Sequence, residues 1–88
     1  MKKMNFVITY DIADEKRLIR VSKFLEKFAI RIEYSVFFVE AERKKIMFII
    51  KEIKKIINKK EDDVRVYRIN LAKSIVLKNA IDVKKLLV

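Results

Sequence analysis

The chain contains no cysteine, no histidine, no glycine and no proline in 88 residues, and each absence removes a class of function. Without cysteine there is no disulfide and no thiolate nucleophile. Without histidine as well there is no zinc site of the usual kind and no imidazole base. Any chemistry must run on carboxylates, hydroxyls, Lys and Arg. Without glycine no phosphate-cradling loop of the Walker or Rossmann type can form. Turns fall to Asn, Asp, Ser and Lys. Long apolar runs are missing too: none approaches the roughly 18 residues of a membrane-spanning helix, and the stretch after Lys2-Lys3 is too brief for a signal peptide. The expectation is a cytoplasmic protein that does not engage a membrane.

What is present suits a small globule, with 52% apolar and 39% charged residues. The length fits one domain, expected as a core over about residues 1–78 with a tail at 79–88 at a dimer interface. Folding at this size buries only about 60 to 65% of the unfolded chain's surface, so self-association is expected. The excess of Lys and Arg gives a net charge of +10. A polyanion is the natural partner, because each cation placed on a phosphate releases condensed counterions; the same charge also serves solubility. The wealth of Ile and Lys fits an A·T-rich genome or adaptation to heat, which the sequence does not separate.

The chain is organised around residues 4–17. Met4, Phe6, Ile8 and Tyr10 alternate with Asn5, Val7 and Thr9, the period of a strand with one buried face. The strand ends at Asp11, and Asp14 is placed to cap a helix through the backbone N–H groups of Glu15 to Arg17. Asp11 at the sheet rim, with Arg17 one turn into the helix, has the makings of a phosphate and metal site. Over residues 14–29, Leu18, Val21, Leu25 and Phe28 recur at spacings of three and four, with Ile19 and Phe24 widening the stripe and Lys16, Arg20, Lys23 and Lys27 opposite.

Residues 30–39 alternate again. Ile30, Ile32, Tyr34, Val36 and Phe38 are expected to face the core, leaving Arg31, Ser35 and Phe37 as a contact surface for a symmetry mate or a nucleic-acid strand. Residues 42–58 form the strongest helix pattern, through Ile46, Ile49, Ile50, Ile53, Ile56 and Ile57. Between Glu42 and Lys60 there are eight basic residues, Lys44, Lys51 and Lys55 among them, against Glu42 and Glu52. Such a face can lie along phosphates without specifying sequence. After a polar turn at 58–63, residues 64–71 read as a strand, 74–78 as a short edge strand, and 82–88 as a tail that could be helix or strand. A C-terminal strand is expected to complete the sheet of a partner subunit. The order suits an α+β, ferredoxin-like βαββαβ sandwich with both helices on one face of an antiparallel sheet.

In these residues the chain resembles the small CRISPR-associated endonucleases that accompany the integrase in spacer acquisition (Cas-two proteins). The likeness runs through Tyr10-Asp11-Ile12, Asp14 with Lys16-Arg17, Lys27 to Arg31, Glu33 to Phe37, and Val64 to Arg68. It implies a ferredoxin-like subunit in a two-fold homodimer, with magnesium, or manganese in its place, bound near the axis by Asp11. It also implies that Tyr10, Arg17, Arg31, Ser35 and Phe37 support nuclease activity or the dimer surface around it. The chain departs from the family pattern at Ala29, where glycine is common, at Glu33, where glutamine is common, and at Phe38, where an acidic residue is frequent. Glu33 either weakens substrate contact at Arg31 or orients it.

Magnesium takes oxygen ligands and is usually held by one or two carboxylates plus water and substrate phosphate. One Asp per subunit is thin, and a two-fold axis bringing two copies of Asp11 together supplies the second. The expected function is a magnesium-dependent endonuclease cutting single-stranded RNA, double-stranded DNA or both, acting with the spacer integrase. Arg17, Arg20, Arg31, Lys44, Lys51 and Lys55 are the candidate nucleic-acid contacts. The alternative is a non-catalytic basic dimer that bridges integrase subunits and binds the DNA to be inserted. A plain RNA-binding sheet is disfavoured, because no strand carries the aromatic-and-glycine pattern of that fold.

Overall fold

A computed structural model of the chain describes residues 2–70 and 77–83, with 77–82 described through their backbone. The elements run β1 (Met4–Asp11), α1 (Glu15–Glu26), β2 (Ile30–Glu33), β3 (Val36–Ala41), α2 (Arg43–Ile56), β4 (Asp63–Ile69) and β5 (Leu77–Asp82). The strands form one antiparallel sheet in the order β2-β3-β1-β4-β5. The first six elements are the expected ferredoxin-like arrangement, with β3 lying between β1 and β2.

The period-two pattern of β1 sets the core. Phe6, Ile8 and Tyr10 are buried, and the ladder places them beside Val39 and Phe37 of β3 and beside Val66 and Val64 of β4. Both helices cover this one face, α1 with Val21 and Leu25 and α2 with Ile46, Ile49, Ile50 and Ile53. Each such side chain, fully buried, contributes roughly 1.5–3 kcal/mol. Asp14 caps α1 as expected: in extended backbone, its carboxylate accepts the Arg17 N–H at 2.9 Å. The end of α1 comes earlier than the stripe suggested, with Phe28 and Ala29 in a turn held by the Leu25 carbonyl. Ile19, read as part of the stripe, remains exposed.

One strand expectation changes. Residues 30–39 are a hairpin, turning at Tyr34 and Ser35, in which Arg31 pairs with Phe37 and Ile30 with Phe38. The turn resets the alternation and the faces exchange. Phe37 is 0% exposed on the helix side, whereas Val36 and Phe38 are half-buried on the open side of the sheet. Ile30, Ile32 and Tyr34, expected in the core, are exposed. Phe37 is therefore core and does not offer its ring to a base or a partner. Without glycine or proline to mark the reversal, nothing local distinguished two short strands from one long one.

The last described strand, β5, overlaps the expected edge strand at 74–78. It pairs with β4 of its own chain, Val66 opposite Ile81 and Ile69 opposite Leu77; the expectation that a C-terminal strand completes a partner's sheet concerns the tail at 82–88, of which 84–88 lie outside the described residues. The outer edge of β4 carries backbone groups that need partners, and an antiparallel return needs only a short connection. Residues 71–76 and 84–88 lie outside the described residues, and with them the start of the expected edge strand and most of the expected tail. Among the described residues no helix is long and apolar enough to cross a membrane.

Candidate functional site

Antiparallel pairing brings the end of β1 and the starts of β3 and β4 to one end of the sheet, where α1 also begins. Asp11 is the last residue of β1 and is exposed. Side chains two apart in a strand share a face, so Asp11 lies with Thr9, Val7 and Asn5 on the side of the sheet away from the helices. Across the ladder stands Asp63, which takes the Arg65 guanidinium at 3.1 Å. Among the described residues no side chain hydrogen-bonds to the Asp11 carboxylate.

Arg17, read as a phosphate contact, is already engaged. Its Nε donates to Asp62 Oδ2 at 2.8 Å, and its Nη2 donates to Glu61 Oε1 at 2.9 Å and to Asp62 Oδ1 at 3.2 Å. Asp62 is 1% exposed and also accepts the Ala13 N–H at 2.9 Å and the Asn58 N–H at 2.8 Å. One carboxylate thus ties together the loop after Asp11, the first turn of α1 and the turn before β4. Burial pushes its pKa up, but the bonds from Arg17, Asn58 and Ala13 outweigh that, and the carboxyl is held below its usual range. Arg17 is correspondingly raised, chiefly by Asp62, and is charged at every physiological pH.

Asp62 and Glu61 carried no role in the sequence reading, which treated 58–63 as a polar turn. The signal was there: Glu61-Asp62-Asp63 is a run of three acids in a strongly basic chain, at the start of a strand that must pair with β1.

Tyr10, Arg31, Ser35 and Phe37 do come together, around the β2–β3 turn. The Tyr10 ring stacks on Phe37 with centroids 6.1 Å apart and planes at 25°. On the other side of the hairpin pair, the Arg31 guanidinium lies over the Phe37 ring at 4.8 Å. Tyr10 Oη donates to the Tyr34 carbonyl at 3.3 Å, Arg31 donates to the same oxygen, and the Tyr10 N–H donates to the Ser35 carbonyl at 3.2 Å. Arg31 also reaches Glu26 at 3.4 Å. Burial raises the Tyr10 phenol above its ordinary value despite the opposing charge of Arg31, so it is a neutral hydroxyl at physiological pH. The cluster pins the turn against the end of β1 and so holds the backbone on which Asp11 sits.

The remaining expected contacts are dispersed. Arg20 is exposed on α1, with no ion-pair partner among the described residues. Lys44 and Lys51 are exposed on α2, and Lys55 bonds Glu52 at 3.1 Å. Because α2 starts where β3 ends, Lys44 lies at the opposite end of the sheet from Asp11. The fold thus sets Lys44 apart from the Asp11 site, while α2 runs back toward that end and stops short of Asn58, whose N–H bonds Asp62.

Among the described residues no group of three or more His, Cys, Asp or Glu side chains could hold a metal. Among the described residues the carboxylates on the open face at this end of the sheet are Asp11, which is unengaged, and Asp63, which faces Arg65. That fits a magnesium ion keeping most of its waters, with its further oxygen ligand drawn from a phosphate or a second copy of the chain.

Comparison with known proteins follows the same residues. Residues 4–74 match the family described as CRISPR associated protein Cas2. The chain is 38% identical to the CRISPR-associated endoribonuclease Cas2 1 of Nitrosomonas europaea, over 72% of this chain and 60% of that protein. It is likewise 38% identical to the CRISPR-associated endoribonuclease Cas2 1 of Thermodesulfovibrio yellowstonii, over 74% of this chain and 71% of the other. The match thus leaves about two fifths of the Nitrosomonas protein's length uncovered. Among solved structures, Streptococcus pyogenes Cas2 superposes with a TM-score of 0.72 at 29% identity, covering 77% of this chain and 88% of that one. A hypothetical protein from Thermus thermophilus shares the fold, with a TM-score of 0.78 at 20% identity over 92% of this chain and 99% of the other. With the βαββαβ order, the strand ending in Tyr10-Asp11 and the match over residues 4–74 all in agreement, the chain belongs to the CRISPR-associated protein Cas2 family.

Proposed function

We propose that the protein is a magnesium-dependent endonuclease of CRISPR adaptation, working as a two-fold homodimer alongside the spacer integrase in the cytoplasm and cutting phosphodiester bonds of RNA, DNA or both. The observation that carries this is Asp11: an exposed carboxylate without a partner among the described residues, on the open face of the sheet. The names of the relatives, endoribonucleases, support RNA as a substrate. The same face of β1, β3 and β4 presents Val7, Phe38 and Tyr67, all half-buried in one chain. A second copy packed there would bury them and bring a second Asp11 to the axis.

Asp11 would hold the ion, which supplies Lewis-acid stabilisation of phosphate charge and a bound water of lowered pKa. The chain's own part is positioning. Asp62 and Arg17 fix the loop after Asp11; Tyr10, Arg31, Phe37 and the Ser35 carbonyl fix the strand before it. Arg20, exposed on α1, is left to meet the phosphate backbone. No imidazole is present to act as base, so turnover is slow. The test is Asp11→Asn, assayed on labelled single-stranded RNA and on double-stranded DNA with magnesium, the fold being checked by thermal unfolding. Loss of cleavage by about a hundredfold or more is expected; unchanged cleavage would remove Asp11 as the ligand and this reading with it.

A non-catalytic adaptor that holds DNA between integrase subunits is favoured by a different observation, a net charge of +10 with Lys44 and Lys51 exposed on α2. Salt-dependent DNA binding and spacer integration that both survive Asp11→Ala would select it.

A further inference from the structure

We infer that the outer face of α2 is a docking groove for an acidic protein segment bearing apolar side chains, separate from the Asp11 site. Phe48 is 45% exposed on a helix whose isoleucines already fill the core. Its ring is held in place by Phe24 of α1, tilted at 6.4 Å, and by Phe28 of the turn after it, edge-on at 5.9 Å. A hollow lies on each side of it. The larger, about 710 Å³, is floored by Met47 and Phe48 and flanked by Lys44 and Lys51. The smaller, about 490 Å³, meets the same ring beside Lys3 and Lys45. A fixed aromatic ridge between two hollows suits a segment that places apolar groups on either side of it. Met47 adds an unbranched, adaptable side chain to the floor.

Charge selects the kind of segment. The larger hollow is lined by five basic side chains against Glu42 and Glu52, so carboxylates flanking an apolar anchor are complementary to its rim. Nucleic acid fits less well. Glu40 and Glu42 line the smaller hollow, in the path a phosphate chain would follow along the helix. The Lys45 ammonium lies over the rings of Phe28 and Phe48, at 5.0 and 5.8 Å, where a base would stack. A peptide can alternate charge with apolar side chains and pass between the acids.

The probe is a dye-labelled synthetic amphipathic peptide of Glu and Leu, titrated with the full chain by fluorescence anisotropy at about 0.1 M salt. Poly-Glu and oligo-dT of the same charge serve as comparators. The Glu/Leu peptide is expected to bind about tenfold or more tighter than poly-Glu, and Phe48→Ala to remove that advantage. Because Phe48→Ala opens a three-ring cluster, Lys44→Glu with Lys51→Glu is the second variant; both side chains are exposed, and it too should abolish binding while thermal unfolding is unchanged. Equal binding of poly-Glu, indifference to both variants, or preferred binding of oligo-dT that is lost in the charge-reversed variant would each overturn the inference. None of these outcomes bears on cleavage at Asp11.

Discussion

A carboxylate at 1% exposure, as Asp62 is, is tolerated only when its oxygens are occupied, because desolvation of an unpaired charge costs several kcal/mol. Here Arg17 and two backbone N–H groups do this. Replacing Asp62 by Ala leaves Arg17 with Glu61 alone and strands both N–H groups at once, and should lower stability by about 3 kcal/mol, read as a shifted urea midpoint. The pH dependence has a definite sign. A folded pKa held below the unfolded value of about 3.9 adds stability that is present above that pH and is lost as pH falls through the lower folded value. The melting temperature of the wild type should therefore drop on acidification below about pH 4 more steeply than that of Asp62→Asn. Parallel curves would show that another group governs the acid limb.

At the scale of elements, the hairpin decides which aromatic is structural. Phe37 is closed off under the helices between Ile8 and Arg31, so Phe37→Ala should cost about 3–5 kcal/mol. Ile32, on the same hairpin but 55% exposed, should tolerate Ser within about 0.5 kcal/mol. Chemical denaturation of the two variants separates this arrangement from the single strand suggested by the alternation of residues 30–39, which would reverse the order. Elsewhere the elements were legible: α2 from its isoleucine spacing, β1 from its alternation and the start of α1 from Asp14. Each rests on contacts within a few residues of chain. The Tyr34–Ser35 turn was not legible, because its formation depends on β3 finding β1.

For the whole molecule the open face of the sheet is the unresolved demand. A sheet with helices on one side only leaves its other side to be covered, and in the proposed homodimer a second copy covers it. Phe38→Lys places a charge in the middle of that face without touching the helix-side core. It should convert a dimer into a monomer in analytical ultracentrifugation, and cleavage should fall with it if two Asp11 side chains are required. A monomeric wild type would remove the shared metal site and leave a basic scaffold.

By itself the order of amino acids determined the strand ending in Asp11, the capped helix after it, the amphipathic α2, the α+β class and the basic surface, since all of these follow from local spacing and composition. Only the tertiary structure decided that Phe37 is core, that Arg17 is committed to an acid 45 residues further along the chain, and that Phe48 stands between two lysine-rimmed hollows. Those outcomes depend on which strand ends and helix faces the sheet brings together, and no periodicity within one segment carries that information.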